Sequence, residues 1–339
     1  MKCSSSKPVR LGLIGASNIA THVLPSIRQV ANIEVLGVAA QRPGQAEVFA
    51  KKHEIKCYYN SYEACLKDQD INAVYVSVLN SDHAHVTKQC LQAGKHVLCE
   101  KPMVLKKSDA ENLFKLASEK KLILLEGFMY RFHPQIQKLK ELVAIGTIGE
   151  TVSIRVNFSF ILYDLTSSER KLRATSKACG GALSDLGCYG IDFLNSIMGN
   201  EVPITENITV RKDSKDLALD LSTLVSLKYQ NGQTAIIECS VDTPSVNNWE
   251  VSGTKGSVAA LRFDPQGSSM APLYVVNEES VAKLIECAST NTFRSEFDNF
   301  AAAIAGSAAP HISAQESIQN AALLELISSN TSYMNGKNL

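Results

Sequence analysis

The 339-residue sequence predicts two domains of different class: an α/β domain on a doubly wound parallel sheet, then an α+β domain on an open, mainly antiparallel sheet. Three observations predict this. Short Val-, Ile- and Leu-rich runs alternate with helix-like stretches in the first part of the chain, as strands covered on both faces should. Strict in-out alternation then takes over. The length exceeds one ordinary core and suits two domains, which we set at residues 1–127 and 128–339.

In the first domain, "RLGLIG" (10–15), "IEVLGVAA" (33–40), "INAVYVSV" (71–78), "KHVLCE" (95–100) and "LILLEGF" (122–128) read as strands, being apolar without alternation. Helix-like segments such as "HAHVTKQCLQAG" and "SDAENLFKLASEKK" separate them. The second of these opens with Ser108 and carries Glu111 three residues on, a capping-box pattern. Pro25 lies inside the first helix and predicts a kink. Repeated strand-helix-strand units imply the parallel sheet.

In the second domain, "ETVSIRVNFSFILY" puts Val152, Ile154, Val156, Phe158, Phe160 and Leu162 on one face of a long strand. "LSTLVSLKYQ" and "QTAIIECSV" flank Asn231-Gly232, a hairpin turn, and "NNWEVSGTKGSVAALRF" predicts a second hairpin turning at "GTKG". Five or six strands are expected. Helices near 181–198, 292–305 and 314–329 should cover one face, leaving the other as a natural surface for a homodimer or homotetramer.

Composition narrows the partners. Thirty-four basic residues against 34 acidic give no electrostatic case for nucleic acid or an anionic membrane. No leader pattern and no apolar run of about 18 to 20 residues is present. The nine cysteines are scattered without a C-x-x-C pair, which favours reduced thiols over a disulfide frame or a metal site. The expectation is a cytoplasmic protein without a metal, acting on a small molecule.

The first strand runs into "GASNIA", where Gly15, Ser17 and Ala20 occupy the positions of a G-x-G-x-x-G dinucleotide fingerprint. Those glycines let the backbone approach a pyrophosphate at a helix N-terminus. The match is degenerate, and an ordinary strand-to-helix turn explains the same residues. At the tip of the second strand, an acid would grip the ribose hydroxyls of NAD; the chain instead reads "VAAQRPGQ", with Arg42 suited to a 2'-phosphate. NADP(H) is therefore preferred and NAD(H) possible, with a solvated surface arginine as the plain alternative.

"SVLNSDHAH" places Asn80, Ser81, Asp82 and His83 at the carboxyl edge of the sheet, where ligands of open α/β folds bind. His83 and His85 are two apart and diverge on a helix, so they do not form a metal pair; His83 is either a helix-start hydrogen-bonding residue or a ligand contact. "CEKP" brings Glu100 and Lys101 to the same edge. Charges at a buried strand tip are costly unless partnered, and a bound ligand is a candidate partner. In "GGALSDLGCYG" (180–190), a helix would project Asp185 and Tyr189, at i and i+4, from one face. A glycine-rich packing helix is the plainer reading.

These segments resemble the glucose-fructose oxidoreductase, inositol dehydrogenase and MocA-like (Gfo/Idh/MocA) oxidoreductase family. "GASNIA", "AGKHVLCEKPM", "EGFMYRFHPQ", "GGALSDLGCYGID", "NNWEVSGTKGS" and the closing helices carry the resemblance over nearly the whole chain. It implies a Rossmann domain followed by an α+β domain, assembled as dimers or tetramers. It implies that Lys101 is the active-site lysine and that Tyr189 takes the position of the acid/base, where many relatives carry His. The Tyr form is similar to dimeric dihydrodiol dehydrogenases and nucleotide-sugar 3-ketoreductases. The resemblance further implies cofactor contacts from Gly15, Ser17, Asn18 and Ile19 in the first turn, Gln41 and Arg42 after the second strand, Leu79, Asn80 and His83, and Glu100 with Lys101.

Hydride transfer leaves one proton to manage at the substrate oxygen. A tyrosine of ordinary pKa, about 10, is a poor base at neutral pH, and a nearby ammonium favours its phenolate. Tyr189 is thus expected to exchange the proton and Lys101 to stabilise charge, with Asp185 orienting a sugar hydroxyl or Lys101. Tyr163 and Arg131 are candidate substrate contacts; Arg131 and His133 in "YRFHPQ" have an interdomain structural role as the alternative. The charged loop "SSERKLRATSK" (167–177) is a candidate lid or diphosphate binder. The expected substrate is a sugar or nucleotide sugar; the alternatives are a trans-dihydrodiol or small carbonyl, and a non-enzymatic NAD(P)-binding regulator.

Overall fold

The computed structural model describes residues 8–163, 172–199 and 201–333. The chain divides into two compact units. The first begins β1 (Val9–Ile14), α1 (Asn18–Ile27), β2 (Ile33–Ala39), α2 (Gln45–Lys52), β3 (Cys57–Tyr59) and α3 (Tyr62–Lys67). It continues β4 (Ala73–Val76), α4 (Asn80–Gln92), β5 (His96–Glu100), α5 (Lys107–Glu119) and β6 (Leu124–Gly127). The six strands are parallel in the order β3-β2-β1-β4-β5-β6, with the reversal of strand order between β1 and β4. Leu11, Leu13, Val74, Val76, Val97 and Cys99 are all fully buried, which is why these strands read as unbroken apolar runs.

Three local expectations change. Strand β3 is only three residues long and lies outside the predicted runs, because two of its residues are half-buried and one is exposed. Pro25 sits in the last turn of α1, which stops at Ile27, so its missing donor costs one bond close to where the helix ends anyway. Helix α5 begins at Lys107, one residue ahead of the expected Ser108 cap. The Lys107 N–H is instead taken by Glu325 Oε2 at 2.9 Å.

The second unit holds α6 (Pro134–Ala144), β7 (Thr151–Ser159), a π-helical turn (Leu183–Gly187) running into α7 (Cys188–Met198), and β8 (Thr205–Lys212). Then follow β9 (Asp220–Lys228), β10 (Thr234–Ser240), β11 (Val246–Gly253), β12 (Gly256–Ala260), β13 (Ala271–Val276) and β14 (Ala282–Cys287). These eight strands run β14-β13-β12-β11-β7-β10-β9-β8, antiparallel throughout except for the β7–β10 pair. Both predicted hairpins form, with Gly232 at φ +86° in the first turn. The expected five or six strands become eight because the outer ones lack a clear pattern: β14 is exposed at four of its six positions, and "TENITVRK" of β8 is largely polar.

One face of this sheet carries Ile154, Val156, Phe158, Val225, Ile237, Trp249 and Val251, all buried. Helix α7 lies against it so closely that a Cβ on Gly190 would come within 2.6 Å of Ile237 Cγ2. The opposite face carries Arg155, Asn157, Leu224, Ile236 and Glu238, exposed or half-buried.

Helix α8 (Thr292–Ile304) belongs to the first unit, which takes in Asn291–Ala314. Phe293, Phe297 and Phe300 are buried along it; Phe297 meets Tyr75 edge-on at 5.3 Å, and Phe293 meets His22 at 5.5 Å. The chain thus returns to the first unit late, where a single boundary at 127/128 was expected. Helix α9 (Ala314–Tyr333) follows. Among the described residues, no helix is long and apolar enough to cross a membrane.

Candidate active site

The first unit places the cofactor candidates along the carboxyl ends of its strands. Gly15 follows β1 at φ +110°, and a Cβ there would lie 2.8 Å from Ser77 O, so only glycine lets β1 and β4 open onto this turn. Ser17 is the N-cap of α1: its Oγ accepts from Ala20 N at 3.1 Å and donates to Ser77 Oγ at 2.9 Å. Asn18 is exposed and Ile19 half-buried in the first helical turn. A tight glycine turn, a capped helix start and the strand-order reversal together fit a dinucleotide pyrophosphate. Gln41 and Arg42 are exposed just beyond β2, where a 2'-phosphate would be met.

Leu79 and Asn80 open α4. His83 is buried, with Nδ1 2.8 Å from Pro102 O and Nε2 3.2 Å from Val78 O. It ties the start of α4 to the turn after Lys101. Glu100 ends β5 half-buried and accepts from the Tyr75 hydroxyl at 2.6 Å. Lys101 follows at 8% exposure, an uncommon burial for lysine. The turn beyond it is held by Glu126 of β6, whose Oε1 accepts from Met103 N at 2.9 Å. Glu126 and Tyr75 went unpredicted; a lone acid in "LILLEGF" and a lone hydroxyl in "AVYVSV" were the available signals.

The second unit carries the other candidates. Asp185 lies in the π-helical turn, so the expected α-helical i,i+4 geometry with Tyr189 does not hold through it. Its carboxylate is fully buried; Oδ2 accepts from the Tyr163 hydroxyl and Oδ1 from Arg173 Nη2 at 3.0 Å. Tyr163 Oη also accepts from Gly181 N at 2.9 Å. Burial first, and then the Asp185 carboxylate, push the Tyr163 pKa well up, so this phenol stays protonated. Asp220 of β9 anchors the turn by accepting from Leu183 N and Thr223 Oγ1, each at 2.7 Å. Tyr189 sits in the first turn of α7 at 7% exposure, its ring stacked on Phe158 at 5.1 Å and 17° and edge-on to Tyr130 at 5.7 Å.

Arg131 is placed differently from a substrate contact. It is fully buried, and its guanidinium grips Asp192 of α7 through two bonds, Nε–Oδ2 at 2.6 Å and Nη2–Oδ1 at 2.7 Å, and Glu316 of α9 through a third at 2.9 Å. Tyr130 and Asn320 donate to the same Asp192 carboxylate. Its charge is answered within the unit. His133 is also buried, caps α6 by accepting from Gln135 N through Nδ1, and leaves Nε2 without a hydrogen bond. Part of the charged loop at 167–177, residues 167–171, lies outside the described residues. No group of three or more His, Cys, Asp or Glu among the described residues could hold a metal, and the eight described cysteines are free thiols.

Comparison with known proteins decides the family. Residues 9–128 match the family model described as an oxidoreductase family with an NAD-binding Rossmann fold, and residues 136–259 match the GFO/IDH/MocA C-terminal domain. The chain belongs to the GFO/IDH/MocA oxidoreductases. This family member is 30% identical over 311 residues to a D-xylose 1-dehydrogenase (NADP(+)) of Haloferax volcanii, covering 91% of this chain and 92% of that one. It is 33% identical to the trans-1,2-dihydrobenzene-1,2-diol dehydrogenase of Bos taurus over 75% of this chain and 74% of that one. A crystal structure of a 3-ketoreductase from Actinomadura kijaniata with NADP and TDP-benzene superposes with a TM-score of 0.84 at 27% identity, covering 95% and 97% of the two chains. The GFO/IDH/MocA oxidoreductase described here is accordingly an NAD(P)-dependent enzyme acting on CH–OH groups.

Proposed function

We propose that the enzyme is an NADP(H)-dependent oxidoreductase of sugars or nucleotide sugars, interconverting a hydroxyl and a ketone or lactone carbonyl. The observation that carries this reading is Lys101, nearly buried yet set at the carboxyl end of β5 on the sheet edge that binds ligands. When bound, the nicotinamide supplies or accepts the hydride. Tyr189 gives or takes the proton at the substrate oxygen, and Lys101 stabilises the charge that develops during the transfer. Asp185, clamped by Tyr163 and Arg173, orients a substrate hydroxyl. Arg131 is assigned to holding α7 and α9 together.

NADP is favoured over NAD by the exposed Arg42 beyond β2, and by relatives that use or contain NADP. The enzyme is read as a cytoplasmic homodimer or homotetramer, joined through the outward face of the eight-stranded sheet. A second reading, oxidation of trans-dihydrodiols, is favoured by the aromatic surroundings of Tyr189 and by the dihydrodiol dehydrogenases among its relatives.

The test follows nicotinamide absorbance with both cofactors against aldoses, keto and hydroxy nucleotide sugars and trans-dihydrodiols. NADP-preferring turnover of a sugar class is expected. Tyr189→Phe and Lys101→Met should each lower kcat by about 10²- to 10⁴-fold, with NADP binding retained in Tyr189→Phe. An unchanged kcat in Tyr189→Phe would remove its assigned role.

A further inference from the structure

The proposed chemistry needs the Tyr189 hydroxyl in one place, and a tyrosine side chain does not fix that place by itself. Its outer torsion is intrinsically broad, so the plane of the ring is set by whatever packs on it. Two aromatic rings of the second unit do this from different directions. Phe158, on the inward face of β7 and 1% exposed, lies nearly parallel to the Tyr189 ring, at 17° with centroids 5.1 Å apart. Tyr130 meets Tyr189 edge-on at 5.7 Å and 73°, and meets Phe158 in the same manner at 6.1 Å and 72°. Phe263 closes the group, edge-on to both Phe158 and Tyr130.

Tyr130 is itself anchored. It is fully buried, and its hydroxyl donates to Asp192 Oδ2 at 2.6 Å. Asp192 stands three residues beyond Tyr189 on α7, one turn along the same side of the helix. Two bonds from Arg131 and one from Asn320 Nδ2, at 2.7 Å, hold that carboxylate in turn. The ring contact on Tyr189 thus leads back, through a hydrogen bond, to the helix that carries Tyr189. Filling space alone does not call for this arrangement. Ile154 and Val156 fill the neighbouring inward positions of β7 with aliphatic side chains, and a phenylalanine at 130 would pack without a buried hydroxyl that needs a partner.

We propose that Phe158 and Tyr130 are positioning residues for Tyr189. Phe158 sets the plane of its ring, and Tyr130, pinned by Asp192, stops the ring from swinging, so that the hydroxyl points in one direction before substrate arrives. Such preorganisation leaves less rearrangement for the reacting state and is read in kcat. This inference rests on the acid/base reading of Tyr189.

The experiment is a double-mutant cycle on the full chain, run with the best substrate among the aldoses, nucleotide sugars and trans-dihydrodiols. Phe158→Leu and Tyr130→Phe are made alone and in a Tyr189→Phe background, and kcat, substrate KM and Tm are measured for each. Phe158→Leu should lower kcat by about 10- to 100-fold and Tyr130→Phe by about 3- to 10-fold, with substrate KM within about twofold of the wild type. Once the Tyr189 hydroxyl is gone there is nothing left to aim, so each substitution should change the residual kcat of Tyr189→Phe by less than about twofold. Equal losses in the two backgrounds would mark a merely structural role and overturn the inference. A raised KM with kcat kept, the sign of a direct substrate contact, would overturn it too, as would unchanged kinetics. Should Phe158→Leu not fold, the near-isosteric Tyr130→Phe decides in the same cycle. A fully active Tyr189→Phe, or a wild type that turns over none of these substrates, removes the acid/base reading and this inference with it; an active wild type, an impaired Tyr189→Phe and additive losses remove the inference alone.

Discussion

Arg42 is exposed beyond β2 with no acid at the strand tip to compete for a ribose. Arg42→Ala should weaken NADP(H) binding by about 10- to 100-fold, the loss of a charge-assisted contact, and leave NAD(H) nearly unchanged. Titration with both cofactors checks this. Arg131 makes a different prediction. Arg131→Met leaves the Asp192 carboxylate buried without its counter-ion, a loss of about 3 to 5 kcal/mol that should appear as a lower Tm. A variant with normal Tm and raised substrate KM would return Arg131 to the substrate. His133 is held neutral by burial, its pKa lowered to about 4 with Asp264 opposing slightly. The unfolded histidine, near 6.5, takes its proton first, so stability should fall as pH drops from about 6.5 to about 4, by at most about 1.4 kcal/mol per pH unit. Replacing it as His133→Asn keeps a capping side chain and should flatten that part of the Tm–pH curve.

At the scale of elements, the two hairpins and the central parallel strands were legible because each follows from a local period or a turn dipeptide. The Asp185 turn was not. Its sequence suits an α-helix; a π-helical turn forms where Asp220, 37 residues beyond Leu183, accepts from Leu183 N and where Tyr163 and Arg173 hold the Asp185 carboxylate. Those partners are distant in sequence, and no window of residues contains them. The same reason hid Tyr75 and Glu126: each looks like an odd polar residue in an apolar run until the strands bring it to the end of β5. Gly15 was legible, since a positive φ at a strand end leaves glycine as the natural choice. Gly15→Ala should strain the turn against Ser77 O and impair NADP binding before it lowers Tm severely; calorimetric titration and a thermal melt separate the two effects.

For the whole molecule, the two-domain plan and the alternation of strand types could be read from the chain, whereas strand number and boundaries depended on edges with little pattern. The outward face of the second sheet, with Leu224 42% exposed beside half-buried Ile236, is the assembly surface in the proposed reading. Leu224→Lys with Ile236→Lys should turn a dimer or tetramer into a smaller species by sedimentation while each protomer keeps its fold. An unchanged sedimentation coefficient would place assembly elsewhere.

The late return of the chain through α8 also bears on how the protein is made. Phe293, Phe297 and Phe300 complete the first unit, yet they leave the ribosome only after every strand of the second sheet has been synthesised. The unit that begins first is therefore finished nearly last. A nascent chain halted after β6 would carry an uncovered apolar face and become a client for holdase chaperones, and a fragment of residues 1–127 expressed alone should aggregate unless the 291–314 segment is supplied to it.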